Sequence, residues 1–327
     1  MNAVGKQLHV IFGTGALGIA VMRELKRRGK QARLVNRSGR RHADWQVEVV
    51  RANAANSEQA RRACEGATVV YHCAQPPYAQ WPVKAPPIMR GIVEGAAAAG
   101  ARLVYGDNLY AYGRAAMPLR ETLPYNPVGP NTQTRARLAT MVMEAHQQGL
   151  VQASIGRASD FYGALATNST MGERVFPNAL KGRPAKVIGN PDIAHSYTYI
   201  DDFARALVTL GEREEALGEV WHVPSGKAHT AREFVSLIFE QAKQRPRLSA
   251  DPGWLLRALG LVSPMLRAVS EVLYQHENAW VMDTSKFEAA FGDISTGHEE
   301  AIRRTLAWYA GRLPRSPRGS KSARRTP

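Results

Sequence analysis

The chain runs to 327 residues, 44% hydrophobic and 22% charged, which is enough to bury a full core and too evenly mixed for a fibrous or disordered protein. Its net charge of +15 raises nucleic acid or an acidic surface as a partner. Six of those charges (Arg312, Arg315, Arg318, Lys321, Arg324 and Arg325) fall in the acid-free stretch 311–327, which reads as a disordered basic tail. Elsewhere no module alternates basic and aromatic residues, so no specific nucleic acid is expected. Cys64 and Cys73 make neither a disulfide framework nor a metal-ligand spacing, and no run is long and apolar enough for a bilayer. The expectation is a cytoplasmic chain with no metal and no membrane partner.

In chain order, the apolar run Val10–Phe12 reads as a buried strand. Gly13, Gly15 and Gly18 follow in G-x-G-x-x-G spacing, with Thr14, Ala16 and Leu17 between them. A helical pattern then places Leu17, Val21 and Leu25 on one face and stops at Gly29. In a strand–turn–helix, the first glycine permits the tight turn, the second leaves room for a pyrophosphate against the backbone, and the third lets helix and strand pack closely. The free N–H groups at the helix start then face the phosphates. Dinucleotide binding is the expectation; the bland alternative is a glycine turn that binds nothing.

The second strand, Gln31–Val35, ends in Asn36-Arg37-Ser38-Gly39-Arg40. An acid there would hold the ribose 2′-hydroxyl of NAD. A neutral Asn36 followed by Arg37, Ser38 and Arg40 suits a 2′-phosphate instead, so NADP is favoured over NAD. Val47–Val50, a helix over Ser57–Ala63 and the strand Thr68–Cys73 come next, then a Pro- and aromatic-rich loop, residues 76–87, whose Tyr78 and Trp81 could cover substrate or simply pack. A helix over Ile88–Ala99, the strand Leu103–Tyr105, a helix over Thr132–His146 and the strand Val151–Ile155 complete an alternation typical of a doubly wound parallel α/β sheet. Farther on, Asp201-Asp202 caps a helix, Val220–Val223 is a strand, and Thr230 to Glu233 is a capping box before a helix to Gln241. Trp254–Tyr274 is apolar and helical, broken at Pro264, and suits a lobe or a dimer contact better than a membrane. Asp283 caps a short helix to Phe291, and a last helix runs to about Ala310.

These residues resemble the extended short-chain dehydrogenase/reductase superfamily in its epimerase/dehydratase branch. The likeness is carried by the glycine turn, Val70-Tyr71-His72-Cys73-Ala74, Tyr112-Gly113, the series Glu121, Pro124, Pro127, then Phe161-Tyr162-Gly163 and Tyr199 to Ala206. The resemblance implies a Rossmann domain over 1–165, to which 195–224 return, and a small α+β substrate lobe over 166–194 and 225–310. It also implies Cys73 and Ala74 beside the cofactor. Its catalytic Ser/Thr, Tyr and Lys positions fall here on Asn108, Asn131 and Arg135. Asn131 cannot exchange a proton near neutral pH; Arg135 keeps the charge and the hydroxyl-binding half of the lysine's role. Tyr110, Tyr112 and Tyr162 are candidates for a relocated acid, Tyr110 slightly ahead, and His72 reads as structural. Two functions stay open. One is an NADP-dependent oxidoreductase, epimerase or dehydratase acting on a small hydroxy/carbonyl or sugar-nucleotide-like substrate, with a homodimer as an open alternative to a monomer. The other is a non-catalytic NADP-binding sensor or regulator.

Overall fold

The computed structural model describes residues 7–312; the basic stretch from residue 313 onward lies outside them. The first half of the chain alternates strands and helices: β1 (Leu8–Phe12), α1 (Ala16–Arg27), β2 (Gln31–Asn36), β3 (Glu48–Arg51), α2 (Ser57–Cys64), β4 (Ala67–His72), α3 (Trp81–Ala98), β5 (Arg102–Asn108), α4 (Pro130–Gln147) and β6 (Ala153–Ala158). The second half has shorter elements: β7 (Asp160–Tyr162), α5 (Phe176–Leu180), β8 (Ala185–Ile188), β9 (Ala194–His195), β10 (Tyr197–Tyr199), α6 (Ile200–Glu212), β11 (Val220–His222), β12 (His229–Thr230), α7 (Ala231–Gln241), β13 (Leu248–Asp251), α8 (Gly253–Gly260), α9 (Pro264–Ser270), α10 (Ser285–Phe291) and α11 (His298–Ala310).

Seven strands form one parallel sheet in the order β11-β6-β5-β4-β1-β2-β3. All five residues of β1 are buried, as a strand covered by helices on both faces requires. α1 and α6 pack together over one face and α2, α3 and α4 over the other. The chain moves outward from β1 in both directions, to β2 on one side and β4 on the other. The crevice at the switch point therefore opens above the C-terminal end of β1, where open α/β sheets bind their ligands. The remaining strands pair two by two, β10 with β7, β12 with β9 and β13 with β8, beyond the end of β6.

Local chemistry explains several boundaries. Asn56 caps α2, its side chain accepting from Gln59 N at 3.0 Å. The capping box of α7 is closed in both directions, Glu233 N to Thr230 Oγ1 at 3.1 Å and Thr230 N to Glu233 Oε2 at 2.8 Å. The aromatic loop expected over residues 76–87 is largely helix, because α3 begins at Trp81. Pro82 fits the first turn, where a missing N–H costs nothing. Pro86 and Pro87 each leave a carbonyl one turn back unbonded, and Pro82 and Val83, which carry those carbonyls, are exposed to water. Asp201 and Asp202 lie inside the first turn of α6 rather than capping it. Asp202 accepts from Thr296 N at 2.6 Å and Thr296 Oγ1 at 2.7 Å, tying α6 to the segment before α11. Trp254–Tyr274 is a helix pair broken before Pro264, as its sequence indicates; Trp254, Leu261, Val262 and Met265 on it are exposed.

Candidate active site

The glycine turn is built to the tolerance its spacing requires. Gly13 has φ +106°, and a Cβ there would lie 2.7 Å from Cys73 O and 2.8 Å from the Ala74 backbone. A Cβ on Gly18 would lie 2.0 Å from Gly13 O. Both positions thus exclude a side chain. Gly15 is the opposite case: it is exposed, and a Cβ on it meets nothing within 4 Å. No protein atom fills the space in front of it. Behind it, α1 starts with no side-chain cap, so the N–H groups of its first turn, from Ala16, Leu17 and Gly18, point into that space. Thr14 is half-buried between Gly13 and Gly15, and Cys73 N is held by Phe12 O at 2.9 Å, fixing the end of β4 against the turn. The donors and the open cradle fit a pyrophosphate.

At the end of β2 the loop is folded on itself. Asn36 Nδ2 donates to Arg40 O at 3.0 Å, Ser38 Oγ donates to Asn36 Oδ1 at 3.1 Å, and Arg40 N donates to Ser38 Oγ at 3.2 Å. The loop leaves Arg37, Ser38 and Arg40 exposed, and among the described residues neither arginine has an ion-pair partner. Asn36 is spent on loop shape, and two guanidinium groups stay available beside the crevice.

Where the catalytic positions of the resemblance fall, the interior carries charge. Asn131, in the first turn of α4, is 2% exposed, and its backbone N–H donates to Glu271 Oε2 at 2.9 Å. Arg135, one turn on, is 4% exposed. It donates to Tyr105 Oη at 2.5 Å, stands 3.3 Å from Asp107 Oδ1, and stacks on the Trp81 ring at 4.2 Å. Arg157 donates to the other Asp107 oxygen at 3.0 Å and to Tyr125 Oη at 2.6 Å. Asp107 is thus the shared anion of two buried arginines. Asn108 is turned to local use, its Oδ1 accepting from Tyr110 N at 3.1 Å. His72, at the end of β4, is buried with no partner on either ring nitrogen; burial, aided by the charge of Arg135, lowers it to about 3, so it is neutral.

The three candidate tyrosines separate cleanly. His222 Nδ1 lies 3.0 Å from Asp283 O and must donate to it, so Nε2, 2.8 Å from Tyr112 Oη, accepts the phenol proton. His298 repeats the arrangement: Nε2 donates to Lys227 O at 2.9 Å, and Nδ1 accepts from Tyr162 Oη at 2.9 Å. Both tyrosines are 0% exposed, and Tyr162 sits among Phe176, Tyr199 and Phe234 in the hydrophobic core. Tyr110 is different. It is half-buried, on the strand-end turn after β5; burial and the charge of Asp160 raise its pKa, while Gln275 and Arg135 act against them. Tyr78 stands near it, its buried hydroxyl without a partner and its pKa raised by burial and then by Tyr110 and Glu271.

Sequence reasoning missed the second half's share of this wall. Glu271, Gln275 and His276 follow α9, His195 lies in β9 and Asp160 opens β7. They are far apart in the chain and share no motif spacing; only the fold assembles them.

An all-parallel doubly wound sheet with a glycine turn at its switch point defines a Rossmann fold of the kind the extended short-chain dehydrogenase/reductase superfamily uses. Within it, the chain belongs to the NAD dependent epimerase/dehydratase family, which matches residues 10–223. It is 22% identical over 194 residues to a dTDP-glucose 4,6-dehydratase of Neisseria gonorrhoeae, covering 58% of this chain and 53% of that protein. It is 23% identical over 217 residues to one from Shigella flexneri, covering 63% and 55%. The chain thus spans about half the length of these relatives. Among solved structures it superposes on the UDP-glucose 4-epimerase of Thermus thermophilus in complex with NAD, with a TM-score of 0.74, 18% identity and coverage of 94% of this chain and 100% of the other. The dTDP-glucose 4,6-dehydratase of Streptomyces venezuelae, also solved with NAD bound, gives a TM-score of 0.75, 16% identity and coverage of 93% and 97%. Family and neighbours are NAD-linked. Among the described residues, no helix is long and apolar enough to cross a membrane and no cluster of His, Cys, Asp or Glu is suited to a metal ion.

Proposed function

We propose that the protein is an NADP-dependent oxidoreductase of this family that interconverts a hydroxyl and a carbonyl group, with its acid/base function moved from the Asn131 position to Tyr110. One observation carries the reading: of the three candidate tyrosines, Tyr110 alone has a hydroxyl not committed to a neutral imidazole, and it feels the charges of both Arg135 and Asp160. The dinucleotide, when bound, supplies or accepts the hydride. Gly13, Gly15 and Gly18 hold its pyrophosphate against the start of α1, Cys73 and Ala74 flank it, and Arg37, Ser38 and Arg40 receive the 2′-phosphate. Tyr110, protonated at neutral pH, gives its proton to the substrate oxygen during reduction and takes it back during oxidation. Arg135 favours the phenolate through its charge, the part of the lysine's role that an arginine can keep. Asn131 binds without titrating.

Tyr78 is the second reading for the proton donor, favoured by its buried and unpartnered hydroxyl. The substrate is either a small hydroxy/carbonyl compound or a sugar nucleotide, the class named for the relatives. A panel of carbonyl compounds and sugar nucleotides, read as NADPH absorbance, tests the reaction. Tyr110→Phe is expected to lower any turnover found by about 100-fold or more; full turnover in that variant, with loss in Tyr78→Phe, moves the role to Tyr78. The cofactor preference is tested by fluorescence titration with NADPH and NADH. Arg37→Ala/Arg40→Ala is expected to weaken NADPH by about 1–3 kcal/mol and leave NADH unchanged. Equal parental affinity for both cofactors contradicts it.

A further inference from the structure

Exposed apolar groups are not spread over the molecule. Among the described residues nine large apolar side chains are exposed, and six of them lie between Trp254 and Met265. They are Trp254, Leu255, Leu259, Leu261, Val262 and Met265, on α8, α9 and the turn between them. At the tip Leu261 is 77% and Val262 84% exposed. The two helices cross closely, because a Cβ on Gly260 would lie 3.1 Å from the Arg267 Cα. At its foot the hairpin is fixed to the body, where Glu271 accepts from Asn131 N at 2.9 Å.

The backbone of the tip is closed on itself. Leu261 N donates to Ala258 O at 3.2 Å, and Val262 N and Ser263 N donate to Leu259 O at 3.2 and 3.1 Å. The next two carbonyls, of Gly260 and Leu261, accept from Arg267 Nε and Nη2, each at 3.2 Å. A turn that enters an apolar medium needs its backbone groups paired in this way. From Pro252 to Ser270 there is no acidic residue. The flanking carboxylates are engaged, Asp251 by Arg174 and Glu277 by Arg257 Nη2 at 2.5 Å. At eight and seven residues, α8 and α9 are far too short to span a bilayer, and Arg257 and Arg267 suit the headgroup level of an anionic one.

We propose that the α8–α9 hairpin docks the protein on an anionic lipid surface, with Leu261 and Val262 entering the acyl boundary and Arg257 and Arg267 among the headgroups. Charge favours this occupant: the chain carries +15, and basic segments are drawn to anionic lipid. A second copy of the chain fits the hairpin less well. Side by side, α8 and α9 present a face of about 12 by 20 Å, well short of the about 800 Å² per partner in a standard interface. The proposal is independent of the reaction and of the cofactor.

Co-sedimentation of the full chain with vesicles tests it. One set of vesicles is phosphatidylglycerol mixed equally with phosphatidylcholine; the other is phosphatidylcholine alone. The parent is expected to pellet with the anionic vesicles and to stay in solution with the neutral ones. Leu261→Ser/Val262→Ser keeps every basic residue, including those of 313–327, and is expected to bind the anionic vesicles at least about tenfold more weakly. Trp254→Gln, at the other end of α8, serves if the double variant does not fold. Three results overturn the proposal. The first is a parent that stays in solution with anionic vesicles. The second is equal binding by parent and folded variant, which would assign the attraction to charge alone. The third is a parent that sediments as a dimer without lipid while the variant is a monomer, which would give the face to a second copy.

Discussion

A phenol's use depends on what its proton faces. In Tyr112 and Tyr162 the proton is held by a neutral imidazole whose other nitrogen is fixed by a carbonyl. Tyr112→Phe and Tyr162→Phe each strand a buried ring nitrogen, so each is expected to lose about 1–3 kcal/mol in denaturant unfolding while any turnover per folded molecule stays near the parent's. A rate loss without a stability loss in either variant would show that its hydroxyl reaches substrate. Arg135 carries two roles that separate measurements can divide. Removing it takes one of two buried cations from Asp107; Arg135→Ala is expected to cost about 3 kcal/mol of stability, with NADPH binding weaker by about 1–3 kcal/mol. A variant that binds NADPH as the parent does would remove Arg135 from the ribose. Asn131 and Arg135 could be read as a pair because their four-residue spacing puts them on one helix face, and both are buried in α4. The groups that meet them could not be read: Tyr105, Asp107 and Glu271 come from separate segments, and a lone Asp or Glu in sequence carries no sign of its neighbours.

Among the elements, those with a repeating signal were the readable ones. β1, α1, β2 and α7 follow from apolar periodicity, glycine stops and a capping box, and each lies within a residue or two of its expected span. α3 was misread at its start because proline was weighed as a breaker along its whole length; the physics allows it where the freed carbonyls face water. The short lobe strands β8, β9, β12 and β13 left no trace, being only two to four residues long. The glycine turn gives the sharpest element-level prediction. Gly18→Ala would put a Cβ 2.0 Å from Gly13 O, so helix and strand must separate. It is expected to cost about 1–3 kcal/mol of stability and to weaken cofactor binding together with it. A stable Gly18→Ala protein would mean that the packing of α1 on the turn is looser than described.

At the scale of the molecule, burial of neutral histidines sets the acid limit. His72 and His222 are lowered to about 3 and His276 to about 4, in each case first by desolvation. In the unfolded chain they protonate near pH 6.5, in the folded protein only far below. Between those values the unfolded state binds more protons, so stability is full above about pH 6.5 and falls as the pH drops toward 3–4, by up to about 1.4 kcal/mol per pH unit for each group. Melting temperature is expected to be flat from pH 7 to 8 and to decline steeply below 6; a flat profile down to pH 5 would contradict the neutral, buried assignment.

The central claim is that the crevice above β1 is a working dinucleotide site, and Gly15 isolates it. Its φ of −77° is open to any residue, and a Cβ there meets no protein atom within 4 Å. Gly15→Val replaces a favoured N-cap residue and is expected to cost no more than about 1 kcal/mol of stability, leaving a folded protein, while filling the space left for the pyrophosphate. The deciding measurement is an NADPH titration of the parent and Gly15→Val proteins, read by intrinsic fluorescence beside their unfolding curves. Saturable binding is expected in the parent and none up to about 1 mM in the folded variant. A parent that does not bind, or a variant that binds as well as the parent, would contradict it.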